Sequence, residues 1–197
     1  MKIVYIHGAS ATGESFNYIR EHIGGRDIVI EYDSNNGFKN NLDNMLSGLE
    51  GIDDIFFVAH SLGGVYALHI ANEIPDRVLG AITMSTPYGG AEVADFAKYF
   101  LPFNRLLKDI GPNSWPMKQA SKLGIQHPWC NIVTTRGNVP WIHGDNDGVV
   151  TINSQRYLSD SMELVEVNYN HYEVVLNDIV VKLIKDRIRA HKKALVS

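Results

Sequence analysis

Six short apolar runs, each bounded by turn residues, recur along the chain at 2–6, 27–32, 55–59, 78–85, 131–135 and 162–167. A short apolar run can be a strand or a buried stretch of helix. The brevity of these runs and their Val, Ile and Phe content favour strand. Between them lie the segments 14–23, 42–49, 62–74 and 174–191, which read as helices. In the last, Val174, Val175, Ile179, Leu183 and Ile184 give an apolar stripe at helical spacing. Strands alternating with helices specify an α/β fold, with a compact, mostly parallel sheet of about six strands and helices on both faces.

The 197 residues show no repeat or linker and read as one domain over 1–197. A hydrophobic fraction of 45% with 20% charged residues excludes a disordered chain, a collagen-like repeat and a coiled coil. The formal charge of −4 supplies no chain-wide positive field, so nucleic acid is not expected as a partner. With the single cysteine Cys130 no intramolecular disulfide forms, and the thiol reads as a small buried hydrophobe. The apolar start at Met1 is too short for a secretory signal, and no run reaches the roughly 18 apolar residues that span a bilayer. A soluble, cytoplasmic protein without integral membrane association is expected.

One stretch breaks the rhythm. Residues 91–128 carry Phe96, Tyr99, Phe100, Leu101 and Phe103, interrupted by Pro102, Pro112, Pro116 and Pro128. The prolines divide it into short helices, and it is too long for an ordinary connection. It reads as a small helical insertion over one edge of the sheet, either a lid over an apolar pocket or an extension of the core.

The most informative residues are Phe56-Phe57-Val58-Ala59-His60-Ser61-Leu62-Gly63-Gly64. An apolar strand runs into a serine and a helix follows at once, as in a G-x-S-x-G elbow with Ala59 in the first glycine position. Such a turn is sharp, so the residues two before and two after the serine must be small. It also places the N–H of Leu62 at a helix N-terminus, where it can stabilise an oxyanion.

On these residues the chain resembles the α/β-hydrolase family, in particular its compact lipases and esterases, along nearly its whole length. Ile3-Val4-Tyr5-Ile6-His7-Gly8-Ala9-Ser10 looks like the family's strand ending in His-Gly, whose loop supplies a second oxyanion donor. The match implies the Ala9 N–H as partner of Leu62, with Ser10 the near alternative and expected to contact the substrate, and a structural role for His7. Ser85-Thr86-Pro87-Tyr88-Gly89-Gly90 resembles the lipase Thr-Pro-His-Gly-Gly segment, with Tyr88 in place of the histidine and expected in the pocket wall.

A serine nucleophile needs a histidine base oriented by a carboxylate, and in this fold they follow in the order Ser, Asp/Glu, His. That order leaves His171 and His191 of the eight histidines. His191 lies among Lys185, Arg187, Arg189, Lys192 and Lys193, which reads as a solvated face. His171 sits in a polar loop between the last strand and the last helix, where the resemblance places the base. For the acid, Gly144-Asp145-Asn146-Asp147-Gly148-Val149-Val150 offers two aspartates, and the lipase-like Asn-Asp-Gly-Val-Val pattern favours Asp147 over Asp145. The cluster lacks the bidentate Glu of a calcium loop, so neither metal nor cofactor is expected.

The resemblance thus implies a serine hydrolase acting on a small acyl ester or lipid through Ser61, Asp147 and His171. Thioesterase, amidase and acyltransferase activities use the same constellation, and a catalytically silent binding protein is a further alternative.

Overall fold

The structure is a computed structural model describing residues 1–25, 27–91 and 105–194. Its strands are β1 (Lys2–Ile6), β2 (Asp27–Ile30), β3 (Ile55–His60), β4 (Val78–Met84), β5 (Trp129–Thr134) and β6 (Glu163–Val167). They form one sheet in the order β2-β1-β3-β4-β5-β6, and all five pairings are parallel. The principal helices are α1 (Asn17–Ile23), α2 (Phe38–Gly48) and α3 (Leu62–Glu73), then the short α4 (Arg105–Ile110), α5 (Trp115–Ala120) and α6 (Ile152–Gln155), and finally α7 (Asp178–Ala194).

A strand alternates its side chains between two faces, and β3 is buried on both. Phe57 and Ala59 join Leu42, Met45, Val65 and Leu68 under α2 and α3. Phe56 and Val58 join Phe16, Ile19, Val180 and Ile184 under α1 and α7. Each fully buried Phe contributes about 1.5–3 kcal/mol of apolar transfer free energy, so the central strand is held from both sides. Its C-terminal end is thereby a rigid platform. Cys130 is buried in β5, and burial pushes its thiol up to about 11.

The elements differ from expectation chiefly at their ends. The expected helix 14–23 divides into a 3-10 turn, Gly13–Phe16, and α1. The expected helix 174–191 divides at Asn177, which is extended and whose Oδ1 accepts the Ile179 N–H at 2.8 Å, capping α7. The break displaces the apolar stripe, so α7 buries Val180, Val181, Ile184 and Ile188 while Ile179 is 55% exposed. His191 is not on a solvated face. Its ring packs edge-on against Phe56 with centroids 5.0 Å apart.

Of the expected insertion 91–128, Phe96, Tyr99, Phe100, Leu101, Pro102 and Phe103 lie outside the described residues. The described remainder includes α4 and α5, with Pro116, Met117 and Ala120 buried. Among the described residues no helix is long and apolar enough to cross a membrane.

Candidate active site

In an open parallel sheet the carboxyl ends of the strands are where loops from several crossovers converge. Here β3 ends at His60 and α3 begins at Leu62, so Ser61 alone makes the turn, at φ 52° and ψ −125°. Positive φ in a non-glycine residue costs on the order of 1–3 kcal/mol and persists only when its surroundings enforce it. The Ser61 N–H donates to the Met84 carbonyl at 2.8 Å. A β-carbon on Gly63 would lie 2.1 Å from the Ile6 carbonyl oxygen, and one on Gly64 would lie 2.1 Å from Thr86 Oγ1. The small residues of the motif let α3 press directly onto β1 and β4.

The loops after β5 and β6 bring Asp147 and His171 to this serine. His171 Nε2 lies 3.0 Å from Ser61 Oγ, and His171 Nδ1 lies 2.8 Å from Asp147 Oδ2. A carboxylate only accepts, so the His171 proton sits on Nδ1 and the bare Nε2 accepts the Ser61 hydroxyl. Asp147 is fully buried. Its Oδ1 accepts the N–H groups of Val149 and Val150 at 3.0 and 2.8 Å. Its Oδ2 also accepts the Thr134 hydroxyl at 2.6 Å and the Gln155 amide at 3.1 Å. Burial acts to raise the Asp147 carboxyl, but the His171 hydrogen bond and charge, the Thr134 hydroxyl and the Val150 amide outweigh it and hold it below the ordinary value. Asp145 is exposed, away from this set.

Ala9 and Leu62 both line the cavity that contains Ser61. Leu62 opens α3, so its N–H has no partner inside the helix. Among the described residues no acceptor engages either amide. The Ser10 N–H is committed to Ser34 Oγ at 2.9 Å, and Ser10 is exposed. That removes the expected alternative donor and takes Ser10 out of the cavity lining. His7 is fully buried, donates from Nδ1 to the Gly8 carbonyl at 2.8 Å and stacks on Tyr32.

The cavity holds about 320 Å³ and is walled mainly by Leu62, Pro87, Ile110, Val149, Val175 and Leu176. Among the described residues, Glu14 is the single carboxylate in the lining. Tyr88 is not part of that wall. It is fully buried, its hydroxyl accepts from Trp129 Nε1 at 2.8 Å and lies 3.0 Å from Thr83 Oγ1. Thr83 in turn donates to Asn131, whose amide donates to the Gln155 carbonyl. Burying a phenol requires partners for its hydroxyl, and these partners lie inside the core.

No protein-family model and no curated protein matches the sequence. Solved structures do match in shape. The mature form of the lipase BlEst2 of Bacillus licheniformis superposes with a TM-score of 0.77 at 16% identity, over 94% of this chain and 90% of that one. The metagenomic carboxyl esterase MGS0156 gives 0.76 at 15% identity, over 98% and 76%. The fold is that of the α/β hydrolases. A haloalkane dehalogenase loop variant from Bradyrhizobium elkanii shares it, with a TM-score of 0.72 at 11% identity, over 99% and 91%. The α/β-hydrolase fold therefore carries more than one chemistry, and reaction type has to be argued from the side chains.

Three residues at the site escape sequence reasoning. Thr134 and Gln155 clamp Asp147 from β5 and α6, 13 residues before it and 8 after it. His60 donates from Nε2 to the His171 carbonyl at 2.8 Å, across 111 residues. None has a local pattern that marks it, because each acts through a contact made only when distant segments meet.

Proposed function

We propose that the protein is a serine hydrolase that cleaves carboxylic esters through an acyl-enzyme, with Ser61 as nucleophile, His171 as general base and Asp147 as orienting acid. The observation that carries this reading is the unbroken hydrogen-bond chain from Ser61 Oγ through His171 to Asp147, 3.0 and 2.8 Å per link, inside an apolar cavity. A hydroxyl is a weak nucleophile until a base takes its proton as it attacks.

As Ser61 Oγ bonds to the ester carbonyl carbon, its proton passes to His171 Nε2. The carbonyl oxygen becomes an oxyanion facing the N–H groups of Ala9 and Leu62, an interaction worth about 2.7–4 kcal/mol per donor where such donors have been removed. Collapse breaks the bond to the alkoxy oxygen, and His171 returns the proton to the leaving alcohol. Water enters, gives its proton to His171 and attacks the acyl carbon, and the acid leaves as Ser61 regains its proton. The buried Asp147 carboxylate stabilises the imidazolium that forms twice in the cycle.

The ester class is supported by the apolar wall, which suits an acyl chain, and by the lipase and esterase names of similar folds. A cavity of about 320 Å³ lies at the small end for ligand sites and favours short and medium chains over long ones. Treatment with a fluorophosphonate ester followed by peptide mass mapping tests the assignment. The expected adduct is on Ser61 alone, and p-nitrophenyl butyrate or hexanoate is expected to be turned over faster than palmitate. Labelling at another residue contradicts it.

A further inference from the structure

The catalytic reading leaves the buried histidine beside Ser61 unexplained. His60 immediately precedes Ser61 and is 5% exposed. Its Nε2 lies 2.8 Å from the main-chain carbonyl oxygen of His171. A carbonyl only accepts, so the His60 proton sits on Nε2, and that nitrogen cannot serve as a base while the bond is made. On the other edge of the ring, a β-carbon added to Gly8 would lie 3.1 Å from His60 Nδ1. The two imidazoles are neighbours, with ring centroids 4.9 Å apart and planes inclined by 53°.

We infer that His60 is a positioning residue: its Nε2–H fixes the main chain of His171 and so sets the distance from the His171 ring to Ser61. The inference rests on reading Ser61, Asp147 and His171 as the catalytic set. The His171 main chain is held at two points. Its N–H donates to the Asp147 carbonyl at 3.1 Å, and its C=O accepts from His60. The first bond ties the base to the acid loop and the second ties it to the nucleophile strand. Without the second, Asp147 stays clamped by Thr134 and Gln155, and the His171 ring, held on the acid side alone, shifts relative to Ser61.

His60 is also pressed against the glycine that precedes Ala9, so one ring touches the base loop, the nucleophile turn and the loop carrying the proposed oxyanion donor. Burial, followed by the neighbouring His171, pushes the His60 imidazole down to about 3. It therefore stays neutral at ordinary pH and adds no charge beside His171 when that ring becomes an imidazolium.

The test uses two substitutions of similar polarity and different reach. Gln places its amide nitrogen near the position of the imidazole Nε2, whereas Asn places it near Nδ1. His60→Gln is expected to retain kcat. His60→Asn is expected to lose about 10²-fold in kcat, the scale on which displacement by about 1 Å acts. KM for the same ester is expected to be unchanged in both, and the rate of fluorophosphonate labelling is expected to fall in parallel with kcat. If His60→Asn does not fold, His60→Met, which keeps the apolar bulk and lacks a donor, takes its place. Equal losses in the Gln variant and in the Asn or Met variant, or no loss in either, overturn the assignment. Ser61→Ala assayed alongside separates the two levels. Turnover retained there overturns the triad reading and the tether with it, whereas an inactive Ser61→Ala with fully active His60 variants overturns the tether alone.

Discussion

Gly63 stands so close to Ile6 that the missing β-carbon would lie 2.1 Å from the Ile6 carbonyl oxygen. The helix after Ser61 and the strand before the Ala9 loop are thus in backbone contact, and the geometry of the candidate site depends on that approach. Gly63→Ala forces the backbone of one of them to move. Overpacking of this kind costs about 1–3 kcal/mol, and a lowered urea midpoint is the expected result. Gly48→Ala is the control: at the exposed end of α2 a β-carbon meets no atom within 4 Å, so stability is expected to be kept or slightly raised. Equal effects at both positions contradict the close approach.

The two aspartates of one loop are expected to behave oppositely. Asp147→Asn puts an amide where His171 needs an acceptor and is expected to lower kcat about 10⁴-fold, as loss of the corresponding carboxylate does elsewhere. Asp145 is exposed, and Asp145→Asn is expected to be nearly silent. Steady-state ester kinetics on both variants decide this, and the reverse order would transfer the acid to Asp145.

Thr134→Val removes the hydroxyl that donates to Asp147 at 2.6 Å and leaves Ser85 Oγ, 2.8 Å from it, without that partner. Hydrogen bonds to charged groups are worth about 1.5–3 kcal/mol. The expected outcome is destabilisation on that scale together with a partial loss of kcat, read by denaturant unfolding and ester kinetics. Wild-type stability in this variant contradicts the clamp.

Folding stability is expected to fall in acid through His60. Its ordinary value is 6.5, and burial lowers the folded one to about 3. Between those values the unfolded chain binds a proton that the folded chain does not, so stability rises with pH across the window and is lost as pH drops through it. The limiting slope for one group is about 1.4 kcal/mol per pH unit. His69, also lowered by burial, acts with the same sign. Thermal unfolding of the parent and of His60→Gln from pH 7 to 3 checks this, with a shallower dependence expected in the variant. Identical slopes contradict a buried neutral His60.

Much of the fold was legible because the code was local. Apolar runs of strand length and the alternation with helices placed all six strands within two residues at either end, although Asn177 broke the last helix where periodicity alone ran on. The juxtaposition of Ser61, Asp147 and His171 was legible for a different reason: each follows the carboxyl end of a strand, in the turn after β3 or the loops after β5 and β6, and the motif and chain order point to those segments. Tyr88 was misplaced because a segment likeness says nothing about where a side chain finds its hydrogen-bond partners. Thr83 and Trp129 supply them inside the core. Thr134, Gln155 and His60 were invisible, since their partners come from other segments of the chain.

The most direct measurement is hydrolysis of p-nitrophenyl esters from acetyl to palmitoyl by the parent protein and by Ser61→Ala, with thermal unfolding of both. The predicted result is ester turnover in the parent and a loss of at least ~10³-fold in kcat for Ser61→Ala, with unfolding unchanged. Turnover that survives in Ser61→Ala, or a folded parent inactive on every ester, would contradict a serine ester hydrolase.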